Sequence, residues 1–226
     1  MKNSRKLILM LMALFAMTFS VTSCLDSDND YESNDPVQYK KYLAQMSMPY
    51  SGKARLYYHD NTGTSPMAVK YDSLETTWTV RTDSTVTLET FPICRFDSAI
   101  VVSDNDLSEK AAEMRALKEA ISTLGTADVK ALYYWPNTSF VQQNTISFYV
   151  NPMCIERSVR YGDADHKVYF WFIANYLGGT WTGSIYPTFE YSFYLSYIST
   201  DSPELTINNV VPTKYMRNIQ VTCTDK

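Results

Sequence analysis

The chain has little of what most enzymes and nucleic-acid binders use. Its 226 residues contain two histidines, His59 and His166, and four cysteines, with no C-x-x-C pair among them. Basic residues number 20 against 24 acidic ones and form no cluster, so nucleic acid is a poor partner for it. There is no phosphate-binding glycine loop and no dinucleotide fingerprint. The nearest approach to the G-x-S-x-G elbow of α/β-hydrolases is Gly179-Thr180-Trp181-Thr182-Gly183, which carries tryptophan where the nucleophile should stand. Glu89, Glu156 and Glu190 fall in strand-like segments, yet nothing in the pattern selects two of them as a glycosidase pair. No catalytic residue, metal ligand set or cofactor site is therefore assigned, and a glycan-directed hydrolase ranks third among the functions considered.

Long apolar runs are also scarce. The stretch LILMLMALFAMTF at 7–19 has thirteen residues, short of the roughly 20 that a spanning helix needs. It follows Lys2, Arg5 and Lys6, and a charged start with a short apolar run is the pattern of a secretory signal peptide. Val21, Thr22 and Ser23 then lead to Cys24.

These four residues resemble the lipobox of bacterial lipoproteins, an aliphatic residue and two small ones before cysteine. The resemblance implies that the Cys24 thiol receives a diacylglycerol, that residues 1–23 are removed, and that the new amino group is acylated. Two or more acyl chains anchor stably where one does not, because each buried methylene contributes about 0.8 kcal/mol. Loss of residues 1–23 removes three basic groups and no acidic one, taking the net charge from −4 to −7.

Asp26, Asp28, Asp30, Glu32 and Asp35 follow, interleaved with Ser and Asn, with little apolar surface to bury, so 24–35 reads as a solvated acidic tether. It is not a calcium loop: Tyr31 occupies the position that needs glycine and Val37 that of the bidentate glutamate. It is similar to the acid-rich export signal of surface-exposed lipoproteins of the Bacteroidota type. The arrangement as a whole resembles their small lipoproteins, some with calycin-like β folds, which implies an outer-membrane, surface-exposed location.

Residues 36–226 read as a single β-rich domain of a size that supports a sizeable core. Asp35 and Pro36 supply a helix cap and first position, and Tyr39, Tyr42, Leu43 and Met46 make an apolar stripe on a short helix that ends before Pro49. Strands are expected at 53–58, 67–72, 76–81 and 86–91, with turn chemistry such as Asp60-Asn61-Thr62-Gly63 between them. A second helix is expected to start at an Asp106 cap with Glu109 completing a capping box, to carry Leu107, Ala111, Met114, Leu117, Ile121 and Leu124 on its apolar face, and to end at Gly125. Its Glu109, Lys110, Glu113 and Arg115 form a solvated face. Strands return at 129–134, 145–150, 154–160, 167–175, 180–185, 190–198 and 219–223, which makes the fold mainly β, an antiparallel β-sandwich or a lipocalin-like barrel. Asp163, Asp165 and His166 could ligate a metal but lie at a hairpin tip, where Gly162 and Asp163 serve the turn.

Cys94, Cys154 and Cys223 allow at most one disulfide with an odd thiol left over, or three separate buried thiols; both stay open. The aromatic load of 18 Tyr, 10 Phe and 4 Trp is high. Phe189, Tyr191, Phe193, Leu195 and Tyr197 give one strand an aromatic core face with Glu190, Ser192 and Ser196 opposite, and 168–173 is apolar on both faces. Tyr and Trp join an apolar body to a polar tip, which suits a core but also a ligand platform. Trp135 and Trp181, beside loop signals, are expected to be exposed, and with Trp171 they are the candidate binding aromatics. Ser73, Ser84 and Ser98, each after an aspartate, resemble O-glycosylation acceptors of the same bacterial group. The leading expectation is a lipid-anchored, non-catalytic protein that binds a small apolar ligand, a glycan or a surface protein. The alternative is a structural cell-surface component.

Overall fold

In a computed structural model, residues 35–58 and 70–225 are described. The stretch read as a signal peptide, Cys24, the stretch read as an acidic tether up to residue 34, His59 and the turn expected at 60–63 lie outside the described residues. The first element is helix α1 (Pro36–Met46), which starts as expected: the Asp35 carboxylate accepts from the Val37 amide at 2.9 Å and Pro36 takes the first helical position. Leu43 and Met46 are buried, each worth about 1.5–3 kcal/mol of apolar burial.

The domain is mainly β and forms a closed antiparallel barrel of eight strands, lipocalin-like in architecture. The barrel strands are β1 (Pro49–Tyr58), β2 (Lys70–Val80), β3 (Thr85–Pro92), β4 (Thr126–Tyr134), β6 (Thr145–Pro152), β9 (Asn175–Thr182), β10 (Thr188–Thr200) and β11 (Ile219–Asp225), each beside the next. Closure comes from β11, which pairs with β10 through Tyr191↔Cys223 and with β1 through Ala54↔Cys223. No sheet edge is left around this ring, which removes the hazard of an unpaired strand.

Insertions interrupt the meander. A 3₁₀ segment (Ile93–Ala99) and helix α2 (Glu109–Ser122) lie between β3 and β4. The short strand β5 (Val141–Gln142) pairs with β6. The hairpin β7 (Ile155–Tyr161) and β8 (Ala164–Ile173) extends the sheet: β10 is long enough for its first half to pair with β9 and its second half with β8.

Several local expectations need correction. The described part of the first expected strand, 70–72, and residues 76–80 of the second belong to one strand, β2, because residues 73–75 carry no turn chemistry and continue the pairing with β1 through Ser73↔Arg55 and Glu75↔Lys53; 67–69 lie outside the described residues. Helix α2 is capped by Ser108, whose hydroxyl accepts from the Ala111 amide at 3.2 Å, while Asp106 stands outside and accepts from Ser108 instead. Leu107 consequently lies before the helix and is 89% exposed. The helix stops at Thr123, whose hydroxyl donates to the Ala120 carbonyl, two residues before Gly125. On β10 a register shift between Leu195 and Tyr197 reverses the alternation, so Tyr197 is exposed while Ser196 is buried; Ser192, which precedes the shift, is buried as well. The three described cysteines are free thiols.

The barrel interior is filled. Trp78, Tyr133, Phe148, Phe189, Phe193, Leu56 and Leu88 are all fully buried. Their rings meet edge-on or tilted, as in Tyr133 with Phe189 at 5.4 Å and Phe148 with Phe189 at 4.6 Å. The inner face of β9 carries Gly179 and Trp181, and Gly183 follows just past the end of the strand. A Cβ on Gly179 would stand 1.9 Å from the Phe148 ring and one on Gly183 2.4 Å from the Trp181 ring, so the two glycines make room for the aromatics beside them.

Candidate binding cleft at the barrel mouth

One end of the barrel is formed by the start of β1, the end of β4, the start of β6 and the turn from β9 to β10. Helix α1 lies against this end. Tyr39 packs on Trp135 with ring centroids 4.3 Å apart and Tyr42 meets the same indole edge-on at 6.5 Å. The C-terminus of α1 is tied to the barrel by the Tyr50 hydroxyl, which donates to the Met46 carbonyl at 2.9 Å. Burial pushes the Tyr50 pKa up to about 12, so this phenol remains a donor throughout the physiological range.

A cleft of about 500 Å³ lies between α1 and the barrel rim, a volume typical of small-molecule sites. The helix contributes Gln38, Lys41, Tyr42 and Gln45, the i, i+3, i+4, i+7 stripe next to the apolar one. The opposite wall is Gln143 and Asn144 from the β5–β6 turn, with Trp181, Gly183, Ser184 and Pro187 from β9 and the turn that follows it. A smaller recess of about 210 Å³ continues around the helix, sharing Gln38 and Tyr42 and adding Asp35, Tyr39, Thr138 and Val141.

The barrel-side wall is preorganised. Gln143 sits at φ 51°, a left-handed conformation that costs a non-glycine residue about 1–2 kcal/mol. The Gly183 amide donates to the Asn144 carbonyl at 2.7 Å and joins the two turns. Ser184 then staples its own turn, its hydroxyl accepting from the Tyr186 amide at 3.2 Å and donating to the Tyr186 carbonyl at 2.6 Å. This pairing stops β9 at Thr182, short of the expected 185, and leaves Ile185 and Tyr186 exposed on the turn.

In chemical terms the described residues give the cleft four carboxamides, one ammonium and two aromatic rings, and among them no carboxylate, imidazole or thiol lines it. Beneath it, the Trp181 indole N–H faces the Tyr50 hydroxyl without a hydrogen bond of normal geometry. Deeper in the barrel the Tyr191 hydroxyl faces the Cys223 thiol in the same way. Burial pushes the Cys223 pKa up to about 12 and Tyr191 well above its ordinary value, so neither is a nucleophile or base at neutral pH.

The chain belongs to the DUF4840 family. The family model, described as a domain of unknown function, matches residues 45–198, which spans Gln45, both turns of the cleft and the barrel from β1 through most of β10. No curated protein and no solved structure matches the chain.

The sequence-derived candidates fall in separate places on this DUF4840 member. Trp135 and Trp181 are brought to the same barrel mouth, but both are buried, at 2% and 5% exposure, against the expectation that loop neighbours would leave them open. Helix α1 covers Trp135, and Trp181 leans over Gly183 to form the cleft floor. Trp171 is on β8, outside the barrel ring, half-buried with its indole donating to Ser199 Oγ at 2.9 Å. Ser73 is exposed in the middle of β2, Ser84 holds φ 62° in the β2–β3 turn, and Ser98 is half-buried in the 3₁₀ segment.

The carboxylates are engaged elsewhere: Glu89 accepts from Thr77 and Thr79, and Glu156 pairs with Lys167 at 2.6 Å. Asp165 pairs with Arg160, and His166 with Asp201 at 2.8 Å, on a hairpin whose turn uses Gly162 at φ 58°. Among the described residues no three ligating side chains gather. The α1 stripe 38, 41, 42 and 45 escaped the sequence reading because exposed Gln and Lys at helical spacing look like any solvated face. The signal available was its adjacency to the Tyr39, Leu43, Met46 stripe, which places it at the edge of whatever the helix packs on.

Proposed function

We propose that this protein is a lipid-anchored, non-catalytic binding protein of the outer membrane, displayed at the cell surface, whose ligand site is the cleft between α1 and the barrel mouth. The anchor reading rests on Val21-Thr22-Ser23-Cys24 behind a charged and apolar leader, and the display reading on the acidic tether. The binding role is carried by one observation: a cleft of about 500 Å³ into which neutral polar side chains from three separate elements converge. A lining whose described residues include no carboxylate, imidazole or thiol favours holding a ligand over transforming it. A small apolar ligand inside the barrel, the lipocalin mode, is not favoured, because side chains fill that space.

The filled interior also supports a second reading, a structural surface component whose aromatics are only core. Native mass spectrometry separates the two. For the mature chain purified in mild detergent from an exporting host, acylation adds mass that survives unfolding and is absent from Cys24→Ala. A bound ligand adds mass that unfolding removes. An unacylated chain contradicts the anchor, and a reproducibly bare fold favours the structural reading. Digestion of the chain by protease added to intact cells tests the surface location.

A further inference from the structure

The chemistry of the cleft restricts its occupant. A phosphate or carboxylate ligand calls for converging cations or an arginine fork, and among the described residues Lys41 is the single cation lining this site. A metal ion calls for carboxylate, imidazole or thiolate donors, and none of the described residues lining it supplies one. An apolar ligand calls for aliphatic walls, whereas Gln38, Gln45, Gln143 and Asn144 surround this space. What a set of uncharged carboxamides matches is a ligand dense in hydroxyl groups. A hydroxyl donates and accepts, and each amide presents two N–H donors beside a carbonyl acceptor, so neighbouring hydroxyls are read in either sense without desolvating a charge.

The rim supplies the other half of such recognition. Tyr186 is 85% exposed between Ser184 and Pro187, both of which line the cleft. An aromatic ring this open adds nothing to the core. The two hydrogen bonds of Ser184 hold its turn fixed, and the link from Gly183 to Asn144 holds that turn against the one carrying Gln143. Rigid placement lowers the ordering cost on binding, and a flat ring presents its face to the C–H side of a pyranose while the amides take the hydroxyl side.

We infer that the cleft binds a neutral oligosaccharide, with Gln38, Gln45, Gln143 and Asn144 as the hydroxyl-reading groups and Tyr186, which is exposed on the adjoining turn and outside the lining itself, as the stacking platform. This inference rests on the binding role proposed above and specifies its ligand class. The shared lining of the recess around Gln38 and Tyr42 gives a chain of more than one sugar a path along α1.

The test is isothermal titration of the mature chain in detergent with a panel of neutral hexasaccharides (gluco-, manno-, xylo- and chito-oligomers), with hexagalacturonate as the anionic control. At least one neutral oligomer binds. Gln45→Ala and Gln143→Ala each weaken it about tenfold, the size of a lost hydrogen bond of about 1.4 kcal/mol. Tyr186→Ala weakens it at least as much, whereas Tyr186→Phe retains binding because the ring face is kept. Tyr186 is exposed, so its variants keep the fold, and circular dichroism checks this. Preference for hexagalacturonate, or neutral binding indifferent to all three positions, overturns the inference. If no oligomer binds while the exported chain retains a non-sugar mass that unfolding releases, the saccharide assignment falls and the binding role stands. If no oligomer binds and no mass is retained, both fall.

Discussion

The two ends of the barrel are closed in different ways. At the end holding the 3₁₀ segment, Phe96 packs against Phe91, Phe170 and Phe172 with centroids 5.3, 5.4 and 5.8 Å away, joining β3, the 3₁₀ segment and β8. Helix α2 lies over this with Ala111, Met114, Leu117 and Ile121 buried. Polar ties fix the cap: Asp106 accepts from the Ser108 and Tyr215 hydroxyls, and Arg217 donates to the Ser98 carbonyl at 2.6 Å while lying over the Tyr58 ring. At the opposite end the cover that the described residues provide is α1, held chiefly by Leu43, Met46 and the tyrosines on Trp135. One end uses its side chains to seal the core. The other leaves a helix face and two turns with carboxamides pointing into open space, and a binding surface belongs where packing is not already using the side chains.

Breaking the sealed end has the largest effect on stability. Phe96→Ala removes a fully buried ring and costs about 3–5 kcal/mol, read by urea unfolding. At the open end, Leu43→Ala costs about 2–3 kcal/mol and acts locally. Amide exchange accelerates in 37–46 while the barrel strands keep their protection, because the helix detaches before the closed sheet opens. An equal acceleration throughout the barrel would show that the two ends are not separable.

Acid sharpens the contrast further. Hydrogen bonds from the Ser108 and Tyr215 hydroxyls hold the Asp106 carboxyl below its ordinary value of 3.8. A carboxyl whose folded pKa is lowered stabilises the fold above its unfolded value, and that contribution is lost as pH falls through the folded one. The wild-type melting temperature therefore falls more than that of Asp106→Asn between pH 5 and the acid limit. Asp225 has the opposite sign: burial raises its pKa, so it favours the fold as pH drops from neutral through its folded value, offsetting part of the loss. The smallest effect belongs to Gln45→Ala, an exposed position that changes stability by less than about 0.5 kcal/mol and reads out only in ligand affinity.

Much of the fold was legible because local rules decided it. Asp35 and Pro36 announce α1, and the two-residue period announces most strands. Barrel against sandwich was not legible, because closure depends on β11 inserting between β10 and β1, a pairing such as Gly52↔Asp225 that no periodicity encodes. The Trp135 error has the same origin. Its neighbours Pro136 and Asn137 signal a loop correctly, but its cover is α1, nearly a hundred residues upstream. The cleft was hidden for a different reason: its α1 residues look like ordinary surface until the helix is seen against the β5–β6 and β9–β10 turns.

The most direct measurement is amide hydrogen exchange of the mature chain with and without the tightest-binding oligosaccharide of the panel. Slowed exchange in 37–46, 141–146 and 181–188, with 93–122 and 155–173 unchanged, is the predicted result. Protection confined to the sealed end, or spread through the barrel strands with none on α1, would contradict a ligand site at the open mouth.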